Sequence, residues 1–210
     1  MTLSVSQSTS LISGTPPSVS FASIVPYGDL ILACITATTF SAGTTTDNVN
    51  ARGYSQIASF LNTGASRYLR TWAAIANASG APTVTTNLSG DQGFLMALDV
   101  TGFMGTPTQD SIIGSAAGTT GTTTSVSVSV TSNFNNEIVV ISFYGVGQTL
   151  SGISGGWTEA SGSSSNGYLF YQTVPTPTTV TLTATLSEAE DWGALAWGYY
   201  DNPNASAWLT

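Results

Sequence analysis

The sequence predicts an all-β protein, an antiparallel β-sandwich or jelly roll built from two pseudo-repeats, and three observations lead there. Strictly alternating segments such as Ser125-Val126-Ser127-Val128-Ser129-Val130 carry the two-residue period of a half-buried strand. Denser apolar runs, Leu30 to Ile35 and Ile138 to Phe143, read as central strands covered on both faces. The third is an internal duplication, in which one layout of strands and turns is written twice, roughly 100 residues apart. Two copies are too few for a solenoid and suit the two halves of one sandwich.

Residues 1–27 read as an N-terminal arm with the first strand or strands, and its opening segment, 1–13, is polar with scattered Leu3, Val5, Leu11 and Ile12. The first pseudo-repeat, 28–104, opens on Gly28-Asp29-Leu30 and the apolar strand to Ile35. It turns at Gly53-Tyr54-Ser55 and continues through Tyr68-Leu69-Arg70-Thr71-Trp72, Pro82 to Thr86, and Gly93 to Leu98. The stretch from Arg67 to Ala78 also has a helical option; its alignment with Tyr168 to Thr173 in the second copy assigns it as a strand. The copies meet near Gly102 to Gly105. The second, 105–201, answers with Asn136-Glu137-Ile138, Gly156-Trp157-Thr158, Tyr168 to Tyr171, Thr178 to Thr183, and Trp192 to Tyr199. Small-residue stretches at 114–121 and 161–167 read as loops, and 202–210 is a C-terminal tail. Four or five strands per copy leave edges too exposed to stand alone, so the copies are expected to share one core of roughly eight to ten strands.

Charge narrows the function classes. Arg52, Arg67 and Arg70 are the only basic side chains, there is no Lys or His, and eleven carboxylates leave a net charge of -8. Charged residues make up 7% of the chain against roughly 25% in ordinary soluble domains, so Ser, Thr, Asn and Gly must carry solubility. An anionic chain without a basic patch has nothing to neutralise phosphates, which argues against nucleic-acid and anionic-membrane partners. The single cysteine, Cys34, sits in an apolar run and reads as a small core hydrophobe, ruling out an intrachain disulfide. The first twenty residues lack a basic n-region with an apolar run, so synthesis in the cytoplasm is expected.

The order Gly-Asp-Leu before an apolar strand, a Gly-Trp turn, a Thr-Val-Thr strand and a Gly-apolar-Ala strand is carried by Gly28-Asp29-Leu30, Gly156-Trp157, Thr179-Val180-Thr181 and Trp192-Gly193-Ala194-Leu195. It resembles a tandem β-sandwich module that recurs in bacteriophage structural proteins and bacterial surface proteins. The chain departs from that pattern at Tyr54, where Trp is more usual, and at Asn136-Glu137, where Gly-Asp is expected. The resemblance implies a fold and a virion or surface context, and transfers no active-site residue.

Without His or Lys, a Ser-His-Asp triad, a Cys-His pair, a histidine metal site and a Schiff base are all out of reach. The densest carboxylate group, Glu188, Glu190 and Asp191, could in principle cleave glycosides, but reads first as an acidic solvated loop. The aromatics Trp157, Tyr168, Tyr171, Trp192, Trp197, Tyr199 and Tyr200 read as sandwich core, and Arg67 and Arg70 as surface ion pairs on opposite faces of a strand. No catalytic, cofactor-binding or metal-binding residue is expected, and no cofactor. The expected function is a non-enzymatic virion structural protein, a bacteriophage head decoration or cement protein. The alternative is a carbohydrate- or receptor-binding module of a tail, fibre or bacterial surface protein. Expected partners are other copies of the chain in a homo-oligomer, with a trimer favoured, and the major capsid or other virion proteins, with a glycan under the alternative. Leu3, Val5, Trp208 and Leu209, apolar side chains outside the duplicated pattern, are the expected partner contacts.

Overall fold

The computed structural model describes residues 2–11, 16–38, 43–50, 53–62, 67–87, 94–110, 114–118, 124–145, 148–160 and 167–202. Among these there is no helix. The first half contains β1 (Ser4–Leu11), β2 (Ser18–Ser20), β3 (Leu30–Ala37), β4 (Thr44–Asp47), β5 (Ser55–Asn62), β6 (Arg67–Ile75), β7 (Thr83–Asn87) and β8 (Phe94–Thr101). The second contains β9 (Thr106–Gln109), β10 (Gly114–Gly118), β11 (Ser125–Thr131), β12 (Glu137–Gly145), β13 (Leu150–Ser154), β14 (Thr158–Glu159), β15 (Tyr168–Val174), β16 (Thr179–Leu186) and β17 (Trp192–Asn202).

The strands form four antiparallel sheets whose connectivity is itself duplicated. In the first half an inner sheet runs β1-β8-β3-β6-β5 and an outer one β2-β7-β4. In the second the inner sheet runs β10-β17-β12-β15-β14, with β9 also on β17, and the outer one β11-β16-β13. Strand for strand, β2 becomes β11, β3 becomes β12 and β8 becomes β17. This is jelly-roll connectivity in both halves, with the fifth strand beside the sixth in the inner sheet.

Each copy pairs an inner sheet with an outer one and the two inner sheets meet across a core that both copies build, so the sandwich of two pseudo-repeats stands, with more strands among the described residues than the roughly eight to ten expected. Several strands escaped notice because they carry almost no apolar signal. Thr44-Thr45-Thr46-Asp47 is held by its ladder to β7 rather than by apolar burial, and Gly114 to Gly118, expected as loop, pairs with Trp192 to Ala196. The N-terminal arm likewise holds a full strand, β1, along β8.

Three apolar cores separate the four layers. Along β3, Leu30, Leu32 and Cys34 face the second half across a central core, while Ile31, Ala33 and Ile35 point into the first jelly roll. Along β12, Ile138, Val140 and Tyr144 face that same central core, and Val139, Ile141 and Phe143 point into the second jelly roll. Burial on both faces is why these strands are unbroken apolar runs.

The outer strands need apolar residues on one face only, and there the alternation is clean. Val126, Val128 and Val130 point inward and the intervening serines outward. The outward hydroxyls pair across strands, Ser129 with Thr181 at 2.9 Å and Thr131 with Thr179 at 2.9 Å in one outer sheet. Ser18 with Thr85 at 2.7 Å and Ser20 with Thr83 at 2.8 Å do the same in the other. Paired hydroxyls coat the two broad faces, which is how a chain so poor in charge meets water.

Candidate functional site

The residues expected to meet a partner fare differently. Leu3 is fully buried in the central core and its carbonyl accepts a hydrogen bond from Thr173 Oγ1 at 2.9 Å, so it is not a partner contact; Val5 is half-buried against the same core. The reason is the pairing of β1 with β8, which draws the arm into the inner sheet. Trp208 and Leu209 lie outside the described residues. Glu188 is exposed, Glu190 half-buried and Asp191 buried, in the turn between β16 and β17. Trp157, Tyr168, Trp192, Trp197 and Tyr199 are core side chains, while Tyr171 and Tyr200 are half-buried. Arg70, expected on the surface, is buried, because its position on β6 points into the first jelly roll beside Trp72. Cys34 is a buried thiol.

The acids that stand out are different ones. Asp29, just before β3, and Asp99, near the end of β8, are both buried at one end of the first jelly roll. Asp99 Oδ2 accepts hydrogen bonds from Ser6 Oγ at 2.5 Å and Gln7 Nε2 at 3.1 Å. Gln7 passes the connection on: its Nε2 donates to the Ser23 carbonyl at 3.2 Å and its Oε1 accepts from the Ser23 amide at 3.0 Å. Asp29 Oδ2 and Asp99 Oδ1 are sealed from solvent and have no hydrogen-bond donor, and the two acids lie close enough for each to feel the other's charge. Burial first, and then the charge of Asp99, raise Asp29 to about 6.

The second jelly roll has its own acid pair at the corresponding place. Glu137, one residue before Ile138 as Asp29 is one before Leu30, is fully buried, and Asp110 lies close to it. Glu137 Oε2 accepts from Ser132 Oγ at 2.8 Å and from the amides of Asn133 and Phe134 at 3.2 and 3.3 Å. Asp110 Oδ2 accepts from the same Asn133 amide at 3.2 Å and from Asn133 Nδ2 at 2.8 Å. Glu137 Oε1 is sealed and without a donor. Burial raises Glu137 to about 7, against the lowering effect of its hydrogen bonds.

Two details confirm that the sites are equivalent. The residue before each acid has left-handed backbone, Gly28 at φ 92° and Asn136 at φ 53°, so the two residue types that best tolerate that region stand at the matching turn. Asp99 sits opposite Ile31 in the ladder, and Gly198 sits opposite Val139. A Cβ at Gly198 would come within 1.9 Å of Glu137 Oε1, so the longer acid fills the space that the missing side chain leaves. Asp47, by contrast, is an ordinary turn staple, its oxygens taken up by the Val49 and Asn50 amides at 2.7 and 2.6 Å, Asn50 Nδ2 at 2.8 Å and Tyr54 OH at 2.9 Å.

The two pairs lie at the same end of the molecule. Thr173, at the end of β15, reaches the chain just before β1, and the Asp201 carboxylate accepts from the Met104 and Gly105 amides at 3.0 and 2.7 Å, tying the inter-repeat link to β17. The loop over the first pair exposes Ile24 (66%) and Tyr27 (67%), the link exposes Met104 (77%), and the loop over the second pair exposes Phe134, stacked on Tyr200 with ring centroids 3.7 Å apart. Among the described residues, the only other large exposed apolar side chain is Leu61, on the edge strand β5. The sealed acids can hold a proton but cannot meet a substrate, and among the described residues no group of three or more acidic, cysteine or histidine side chains could hold a metal ion. No protein-family model, curated protein or solved structure matches the chain.

Proposed function

We propose that this chain is a non-enzymatic virion structural protein, a head decoration or cement protein, that attaches through the end bearing Ile24, Tyr27, Met104 and Phe134. The observation that carries the reading is the contrast between surfaces: paired hydroxyls on both broad faces, and exposed apolar side chains gathered on the loops of one end. A hydroxyl-coated face has little to gain from losing its water. A cluster of exposed apolar side chains gains from burial, at about 25 cal/mol per Å². A chain without His or Lys also has few routes to acid–base or nucleophilic chemistry. Attachment to capsid proteins and to neighbouring copies belongs to the same reading.

The exposed ring of Tyr27 and the Phe134–Tyr200 stack favour a second reading, in which the same end is a platform for a sugar ring in a tail, fibre or surface protein. Co-sedimentation of the purified chain with capsid shells separates the two. Saturable binding to shells, lost in the Tyr27→Ser, Met104→Ser double variant, supports attachment through this end. Binding that the double variant retains, or binding to a polysaccharide with none to shells, overturns it.

A further inference from the structure

We propose that Met104 is a modification site: a peroxide oxidant converts its thioether to the sulfoxide, and so turns the loop-bearing end of the chain from apolar to polar. Two other sulfurs are out of an oxidant's reach. Met96 is 1% exposed and Cys34 is sealed from solvent, both within the central core. Burial also holds the Cys34 thiol in its neutral, unreactive form. Met104, at 77%, is the most exposed large apolar side chain among the described residues, and Met1 lies outside them. Oxidation follows exposure, so it is directed to the link between the repeats.

The backbone keeps that side chain in place. The Asp201 carboxylate holds the Met104 and Gly105 amides at 3.0 and 2.7 Å. On the other side Gly102, at φ 98°, passes so close to the N-terminal arm that a Cβ there would come within 2.7 Å of the Thr2 carbonyl oxygen. The link carries the chain from β8 of one jelly roll to β9 of the other, so Met104 sits where the two loop-bearing halves join. In the reaction a sulfur lone pair attacks one peroxide oxygen and the O–O bond breaks. The proton of the transferred hydroxyl joins the departing hydroxide, which leaves as water; the sulfur is oxidised by two electrons and the peroxide reduced. The product is a polar, hydrated group in the middle of the exposed apolar side chains, and a sulfoxide reductase can return it to the thioether.

The change at Met104 is a property of the free chain; only its effect on attachment rests on the reading that this end seats on a shell. Peptide mass spectrometry of the full chain in dilute hydrogen peroxide tests the site. One oxygen should enter at Met104 at least about tenfold faster than at Met96, and hydrophobic-interaction chromatography should elute the oxidised chain earlier. Met104→Leu should abolish the elution shift, and a methionine sulfoxide reductase should reverse it in the unaltered chain. Equal rates at Met104 and Met96, or an elution shift that survives in Met104→Leu, overturns the proposal. Co-sedimentation with capsid shells reads the consequence: the oxidised chain should bind at least about tenfold more weakly, and Met104→Leu equally well before and after treatment. Undiminished binding by the oxidised chain overturns the effect on attachment. No binding by the untreated chain overturns attachment itself, and the site is decided by the mass and elution measurements either way.

Discussion

Asp29 and Glu137 are carboxyls buried at the matching turn of the two halves, and burial raises both above the ordinary carboxylate range, which favours the protonated form in the folded chain. The consequence for stability has a definite sign. Asp29 and Glu137 have folded values of about 6 and about 7, above the ordinary carboxylate range, so the folded chain binds their protons more tightly than the unfolded one. Their contribution is full below about pH 4, where both states are protonated, and is lost as pH rises through 6 to 7. Thermal unfolding should therefore show a midpoint roughly 5 °C higher at pH 5 than at pH 8, and the Asp29→Asn, Glu137→Gln double variant should flatten that difference. A midpoint that rises toward pH 8 would contradict the assignment. The acids before each central strand are visible in the repeated Gly28-Asp29-Leu30 and Asn136-Glu137-Ile138. Their partners were not legible, because Asp99 and Asp110 are brought to them only by the strand order of the inner sheets.

At the scale of elements, the duplication is conserved in geometry more than in residues. Gly198 and Glu137 together occupy the space that Asp99 and Asp29 share in the other copy, so the two positions should be coupled. Gly198→Ala should cost about 2 kcal/mol or more, since its Cβ falls on the Glu137 carboxyl, and Glu137→Asp in the same chain should recover much of that loss. Denaturant unfolding of the two single variants and the double variant measures the coupling, and simple additivity would mean that the positions do not share this space. The alternating strand β11 and the apolar strands β3 and β12 were legible from periodicity and density, and β6 was assigned correctly from its alignment with β15. Strands such as β4 and β10 carry no period to read, since a ladder of backbone bonds needs no apolar side chain.

The whole molecule is two jelly rolls back to back, and its central core belongs to neither. Residues 1–104 and 105–210 expressed separately should each expose one face of the central core and be insoluble or aggregated, whereas co-expression should restore a soluble pair. A soluble, cooperatively folding single half would show that the halves are independent domains. Deleting residues 1–11 should likewise destabilise the first jelly roll, because β1 is an integral strand and Leu3 is core, rather than merely weakening assembly as the sequence alone suggested. The central claim concerns which surface of this stack is used. A cryo-electron microscopy map of particles that carry the protein tests it most directly. The account predicts four-layered density standing on the shell, with the loops of Ile24, Tyr27, Met104 and Phe134 at the contact and the hydroxyl-coated faces turned to solvent. Density lying on a hydroxyl-coated face, or standing on the opposite end, would contradict it.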